Sequence, residues 1–256
     1  MGARQVVILG AGVGGLVAAR RLRRTLPARD RIVVVDRAAT SLFAPSLPWL
    51  VSGARRLEQI QANVAAQLGS GTQLVRGEVE AIDPVARRVH VGGAALEADA
   101  LLVALGADLA PGVIPGLAAA GHDLYSAAGA TAFRAELEGL GGGHVVLLTA
   151  TPAYKCPAAP YEMAMLVEAW LRRRRRRGQF GLDLFAAEPA PLPVAGPAVG
   201  TAIREMLAGK GIGYHPAHQV ERVDPEHRTL VFTGGREVPF DLLGFIPPHR
   251  APAAVA

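Results

Sequence analysis

The chain has a single cysteine, Cys156, in 256 residues. An intramolecular disulfide needs two, so no disulfide framework is available. A lone thiol is either a small buried hydrophobe or a reactive group. No long uninterrupted apolar run exists either. The most apolar window, Ala98 to Gly121, is broken by Asp99, Asp108, Pro111 and Pro115, which excludes it as a membrane span. No Ser-His-Asp pattern or G-x-S-x-G elbow is present. His215 and His218 have no cysteine or carboxylate at ligand spacing, so no metal site is expected. The formal charge is +5, but six arginines are contiguous from Arg172 to Arg177. The excess is therefore local, no nucleic-acid-reading motif accompanies it, and no nucleic-acid partner is expected. No signal peptide precedes the first apolar run. Met1-Gly2 begins like a myristoylation start, but Val6 stands where that signal needs Ser or Thr.

What is there points to a compact α/β protein. Half of the residues are hydrophobic, and 30 glycines and 19 prolines supply tight connections. "RQVVILGAGVGGLVAARRLRR" reads as strand, glycine turn and helix, and Arg31–Arg37 as a second buried parallel strand. "LEQIQANVAAQL" is predicted helical, and short strands follow. The pattern then recurs. "QVVILGAGVGG" parallels "HVVLLTATPAY", and Ile82–Leu105 parallels Val223–Ile246, both members of the second pair having Asp-Pro, Gly-Gly and an Asp before an apolar strand. The expected fold is α/β: two Rossmann-like units, each with a small β-meander insertion. The first domain is expected over 1–112 and the second over 113–248. The tail 249–256 would begin a return to the first.

Gly10, Gly12, Gly14 and Gly15 carry a G-x-G-x-x-G pattern between strand and helix, with Asp36 at the end of the next strand. Gly10 suits the tight turn, Gly12 a close approach of backbone to pyrophosphate, and Gly15 helix–strand packing. Asp36 can accept hydrogen bonds from a ribose hydroxyl and disfavours a 2′-phosphate, hence NADP. A packed α/β turn without ligand is the alternative. The fingerprint alone does not choose between FAD and NAD.

Three further segments resemble the two-dinucleotide-domain flavoproteins of the pyridine nucleotide-disulfide oxidoreductase superfamily. The specific likeness is to the sulfide:quinone oxidoreductase and flavocytochrome c sulfide dehydrogenase group. Pro45, Ser46, Pro48 and Trp49 match the group's Pro-Ser-x-Pro-Trp loop. Ala104 and Gly106 match its Ala-Thr-Gly strand end, with Leu105 replacing the threonine. Lys155, Cys156 and Pro160 match its Lys-Cys-x-x-x-Pro segment. The resemblance implies FAD as cofactor, held by these residues with Arg37, Val79 and the glycine fingerprint. It also implies a small sulfur substrate, a quinone or cytochrome acceptor, peripheral membrane contact, and a homodimer as one assembly. The location expected is cytoplasmic or peripheral to the membrane.

The second crossover lacks a glycine fingerprint, and Pro152 and Pro157 remove N–H donors, so nicotinamide binding there is disfavoured. A helix start and Lys155 both favour a thiolate at Cys156. Electrons would then pass from the sulfur substrate through Cys156 and flavin to the acceptor. An inert cysteine is the alternative. The sequence departs from the group in two ways. Tyr125 lies about where some members carry another cysteine. The chain also stops after "FIPPHRAPAAVA", before the group's Gly-Asp segment, partner cysteine and C-terminal part, so a truncated chain is expected, with activity in doubt. Two other functions stay open: an NAD(P)H-dependent FAD disulfide or ferredoxin-type reductase, and a non-catalytic nucleotide-binding module. Glu162 is read as helix capping rather than acid/base. The arginine run is read as a solvated helix end, with attraction to an anionic membrane surface as its alternative.

Overall fold

Strands form where the sequence concentrates β-branched residues. In the computed structural model, which describes residues 2–255, Gln5–Leu9 (β1) and Arg31–Asp36 (β2) pair in parallel around the helix Val13–Thr25 (α1). Met1, invoked for myristoylation, and Ala256, the last residue of the tail, lie outside the described residues. Further along are the strands Thr40–Leu42 (β3), Gln61–Asn63 (β4) and Gln73–Arg76 (β5), with the helices Leu47–Val51 (α2) and Val64–Leu68 (α3). Then come Val79–Asp83 (β6), Arg88–Val91 (β7), Ala94–Glu97 (β8) and Ala100–Val103 (β9). The chain divides into two compact units. Unit 1 comprises Met1–Phe43, Glu58–Asp108 and Arg250–Ala256; unit 2 comprises Ala44–Leu57 and Leu109–His249.

In unit 1 the parallel sheet has the order β5-β2-β1-β9. Side chains alternate across it, as a strand's period of two requires. Ile8, Ile32 and Val34 pack on one face with Ala19 of α1 and with Val64 and Leu68 of α3. Val7, Leu9, Val33 and Val35 pack on the other with Val89 and Val91 of β7. Fully burying one such side chain is worth about 1.5–3 kcal/mol, so both faces of the sheet are committed. The second face is covered by the antiparallel meander β6-β7-β8.

Unit 2 repeats the scheme with two longer central strands. It contains Asp108–Leu109 (β10) in part, Leu117–Ala120 (α4), His122–Asp123 (β11), Ala127–Gly139 (α5), Gly143–Thr149 (β12), Ala159–Arg173 (α6) and Phe180–Ala186 (β13). Pro197–Gly209 (α7), Gly213–His215 (β14), the meander Val220–Asp224 (β15), Thr229–Phe232 (β16) and Glu237–Pro239 (β17), and Leu242–Ile246 (β18) complete it. The parallel sheet order is β11-β18-β12-β13-β14. Val146, Leu148, Phe185, Leu243 and Phe245 bury against Val223, Leu230 and Phe232 of the meander.

The sequence repeat has a structural cause at each shared residue. Asp99 Oδ2 accepts from the N–H of Gln5 at 2.6 Å, and Asp241 Oδ2 from that of His144 at 2.7 Å. Each ties the strand that follows its unit's meander to the start of the strand that precedes the crossover helix. Asp83 and Asp224 each accept two backbone N–H bonds from the turn that follows, which fixes the meander's first hairpin. In the second hairpin both glycines of each Gly-Gly pair have positive φ, Gly92 and Gly93 at 56° and 76° and Gly234 and Gly235 at 90° and 83°.

Three expectations change. "LEQIQANVAAQL" is not one helix: Gln61–Asn63 pairs with β3, and the Asn63 side chain then caps α3 through the N–H of Ala66 at 3.0 Å. Ala44–Leu57 groups with unit 2 rather than with the first domain, because α2 buries Leu47, Leu50 and Val51 and packs on α5 and α6. The first-domain segment Leu109–Gly112 likewise falls in unit 2.

The arginine run is largely spent inside unit 2. Arg172 pairs with buried Glu168 at 2.5 Å, Arg174 lies 4.3 Å over the Trp170 ring, and Arg177 donates to the carbonyls of Phe180 and Gly211. Arg176 donates to the carbonyl of Leu140. Among the described residues no helix is long and apolar enough to cross a membrane.

Candidate active site

Unit 1 opens a cavity of about 660 Å³ at the carboxyl ends of its strands, within the size range of small-molecule and cofactor sites. Gly10, Gly12, Asp36, Arg37, Val79, Ala104 and Gly106 all line it. The glycines differ in what requires them. Gly10 has φ +99°, and a Cβ there would collide with the carbonyl oxygen of Ala104; a Cβ on Gly15 would collide with the carbonyl oxygen of Gly10. These two serve the backbone's own close approaches. A Cβ on Gly12 would meet no protein atom within 4 Å. It would instead project from a residue lining the cavity. Gly14 meets only Ala104 Cβ, at an ordinary 3.9 Å. Gly12 also sits at the start of α1, which has no acidic residue in its first turn and no side-chain cap on its N-cap residue. The free N–H groups of that turn suit an anion.

Asp36 is already engaged. Its Oδ2 accepts from the N–H of Ala11 at 2.6 Å and its Oδ1 from that of Ala38 at 2.7 Å. A carboxylate has about four acceptor positions, so two remain for a ligand. Arg37 pairs with Glu78 at 3.1 Å, both well exposed. The donor set fits a dinucleotide: a bare backbone at Gly12, open N–H groups, an acid at the end of β2, and a wall of Val79, Ala104 and Gly106.

Cys156 lies in unit 2, in the turn between β12 and α6. It is exposed and has φ +51°, a left-handed conformation that costs a non-glycine residue energy. Tyr125 holds the turn: its hydroxyl donates to the carbonyls of Lys155 at 2.6 Å and Cys156 at 2.9 Å. Burial pushes the Tyr125 pKa up, so the hydroxyl stays protonated and able to donate. A mainly apolar cavity of about 250 Å³ is lined by Cys156, Lys155, Tyr125, Pro45, Pro48 and Glu162, among others. His249 meets Tyr125 edge to face at 5.6 Å; burial lowers its pKa, and its Nε2 is buried without a hydrogen-bond partner.

The structure thus sorts the expected site residues into two groups. The glycines that line, Asp36, Arg37, Val79, Ala104 and Gly106 share the unit 1 cavity. Pro45 and Pro48 share the unit 2 cavity with Cys156, since α2 packs there. Ser46 is buried, and Trp49 is 39 % exposed with Arg55 over its ring at 5.4 Å; neither lines either cavity. The sequence did not single out His249, or Glu188 beyond β13, which is buried among hydroxyls. The clue to Glu188 was its place after the second strand of the repeat, where unit 1 has Asp36. No cluster among the described residues could hold a metal ion.

Two parallel sheets, each with a crossover helix and a meander, and a glycine-lined cavity at one strand-to-helix turn define a tandem Rossmann-like, dinucleotide-binding class of protein. The family model for pyridine nucleotide-disulphide oxidoreductases matches residues 4–246, and the chain belongs to that family, whose members are FAD-binding flavoproteins. The chain is 26% identical to the sulfide-quinone reductase of Aquifex aeolicus over 262 residues, covering 99% of this chain and 60% of the relative. The crystal structure of the Aquifex aeolicus sulfide:quinone oxidoreductase superposes with a TM-score of 0.87 at 25% identity, covering 99% of this chain and 60% of that one. An NADH dehydrogenase-like protein of Mycobacterium tuberculosis is 31% identical over 153 residues, covering 57% of this chain and 38% of the relative. The chain therefore spans about 60% and 38% of the length of these two curated relatives.

Proposed function

We propose that the chain is an FAD-dependent oxidoreductase of the sulfide:quinone type, with FAD in the unit 1 cavity and Cys156 as the residue that engages the sulfur substrate. The observation that carries the sulfur part is the unit 2 cavity. Chain segments a hundred residues apart in sequence, Pro45–Pro48 and Lys155–Cys156, line one apolar hollow with an exposed thiol. Similarity to the Aquifex sulfide-quinone reductase supports the same reading.

In this proposal the N–H groups at the start of α1 and the bare backbone of Gly12 face the pyrophosphate. Asp36 offers its remaining acceptors to ribose. Val79, Ala104 and Gly106 wall the site, and Arg37 stays at its rim with Glu78. Bound FAD would supply the two-electron acceptance and onward delivery, to a quinone or cytochrome, that no side chain can provide. Tyr125 keeps the Cys156 turn fixed, and Lys155 places positive charge beside the thiol. Peripheral membrane contact fits a quinone acceptor, with the exposed Arg173 and Arg175 as the cations available for it. The reading extends to a homodimer only by resemblance.

The test is spectroscopic. Purified protein given FAD should retain flavin absorption after gel filtration, and sulfide should bleach it. Cys156→Ser should keep the flavin and lose the bleaching. Protein that stays colourless overturns the cofactor assignment; bleaching that survives Cys156→Ser overturns the role of the thiol. The NADH dehydrogenase-like relative favours a second reading, electron entry from NADH. Oxidation of NADH with a dye acceptor, at a rate exceeding that with sulfide, would select it.

A further inference from the structure

Unit 2 has the strand–crossover–strand arrangement of a nucleotide-binding fold, with the crevice expected outside the carboxyl ends of β12 and β13. What occupies that position is a side-chain cluster. Glu188 follows β13 as Asp36 closes β2, and it is only 3 % exposed. Its Oε1 accepts hydrogen bonds from the hydroxyls of Tyr154 at 2.5 Å and Tyr161 at 2.7 Å; its Oε2 accepts from Thr149 Oγ1 at 2.7 Å. Thr149 ends β12, Tyr154 lies in the turn, and Tyr161 lies in the first turn of α6. The three hydroxyls come from the elements that would surround a bound dinucleotide.

An acid at this place in a Rossmann unit recognises ribose through two adjacent hydroxyls. Here two phenol hydroxyls meet one of its oxygens, and a threonine hydroxyl meets the other. We infer that Tyr154, Tyr161 and Thr149 act as an internal substitute for a ribose diol, and that Tyr154 and Tyr161 are the residues that exclude nicotinamide nucleotides from unit 2. The electron donor is thereby restricted to one that does not use this crevice. Unit 1 shows the contrast: Asp36 ties back to the crossover turn through the backbone N–H of Ala11, with no bulky side chain, and the cavity beside it stays open.

Energetics favour the closed arrangement. A carboxylate this deeply buried needs its hydrogen bonds, since one left unmade costs about 1–3 kcal/mol, more for a charged group. Burial and the neighbouring Glu188 both raise the pKa of Tyr154 and Tyr161, which remain protonated donors. A nucleotide would have to displace two phenols and replace their bonds. The inference concerns unit 2 alone, and its failure leaves the flavin proposal for unit 1 standing.

Calorimetry with NAD+, which does not reduce flavin, tests it on the full chain in excess FAD. The unmodified protein should give no isotherm up to millimolar NAD+. Tyr154→Gly with Tyr161→Phe removes one ring and both hydroxyls, and should gain binding at least tenfold tighter than that limit. Adding Glu188→Gln should remove the gain, which separates it from binding in unit 1. Circular dichroism monitors folding; should the double variant not fold, Tyr154→Ala alone is measured by the same criteria. Any of three results overturns the inference: NAD+ binding to the unmodified chain that Glu188→Gln abolishes, no binding by the folded variant, or binding that survives Glu188→Gln. A separate titration of FAD into the chain without nucleotide reports on unit 1.

Discussion

The two units share a plan and differ at one turn. Both tie the strand after the meander to the start of the strand before the crossover helix through an aspartate, Asp99 or Asp241, and both turn their meander through Asp-Pro and Gly-Gly. Both place an acid at or just beyond the end of the strand that follows the crossover helix. In unit 1 the crossover turn is glycine, so the acid bonds to backbone and a cavity remains. In unit 2 the turn carries Tyr154, Lys155 and Cys156, so the acid bonds to phenols and the thiol is put on display. The same strand framework surrounds two different turns. A few residues in the crossover turn then decide what the unit can do.

The comparison can be broken most strongly at Gly15. Its Cβ would overlap the Gly10 carbonyl oxygen, so Gly15→Ala should destabilise unit 1 by about 3–4 kcal/mol and abolish FAD uptake. Urea denaturation followed by circular dichroism measures the first and flavin absorption after gel filtration the second; a native midpoint would refute the close packing. Next comes Glu188→Ala in unit 2. It strands the buried hydroxyls of Thr149 and Tyr161 and the half-buried one of Tyr154, for about 2–3 kcal/mol on the same denaturation curve; an unchanged curve would mean the cluster carries no stability.

Gly12→Ala sharpens the contrast within unit 1. No protein atom opposes its Cβ, so stability should stay within about 0.5 kcal/mol while FAD affinity falls about tenfold or more, near 1.4 kcal/mol. Equal FAD affinity would show that nothing approaches this backbone.

A smaller effect should appear with pH in unit 2. Asp183 bridges His144 at 2.6 Å and His215 at 2.7 Å, with Asp241 also near His144. The Asp183 hydrogen bond raises the His144 pKa, so this stabilisation is full below the ordinary histidine value of 6.5 and is lost as pH rises through the folded-state value. The His144 hydrogen bond lowers the Asp183 pKa, so its contribution is full above 3.8 and is lost as pH falls through its folded-state value. Stability from this cluster should therefore be greatest between 3.8 and 6.5. His144→Gln should flatten the decline on the alkaline side; melting temperatures across pH provide the check. The smallest effect is expected for Arg173→Ala with Arg175→Ala, which should change stability by less than about 0.5 kcal/mol. Sedimentation with anionic vesicles tests whether these two cations matter to a membrane surface.

Much of the fold was legible because it rests on local rules. Val6–Leu9, Ile32–Val35 and Val145–Leu148 are β-branched or aliphatic runs that can only be buried strands, and the paired Asp-Pro and Gly-Gly signals mark hairpins whatever the surroundings. The segment Ala44–Leu57 was misassigned because its short apolar helix has no periodicity long enough to reveal a partner, and it chose α5 and α6. "LEQIQANVAAQL" failed similarly: pairing with Thr40–Leu42 outweighed the helix propensity of a short stretch. At the site, the glycines and Asp36 were readable from spacing, but spacing could not distinguish Gly12 from Gly10 and Gly15.

The sequence by itself determined two nucleotide-type units, the glycine turn of the first, and a lone cysteine in the turn of the second. These are matters of residue type and order along the chain. Only the tertiary structure decided that Tyr154 and Tyr161 meet Glu188, that Tyr125 holds the Cys156 turn, and that Arg176 and Arg177 reach the carbonyls of Leu140 and Gly211. Those contacts join residues 27 to 36 positions apart. Whether a hydroxyl or guanidinium finds its partner depends on how strands and helices stack, which no local pattern encodes.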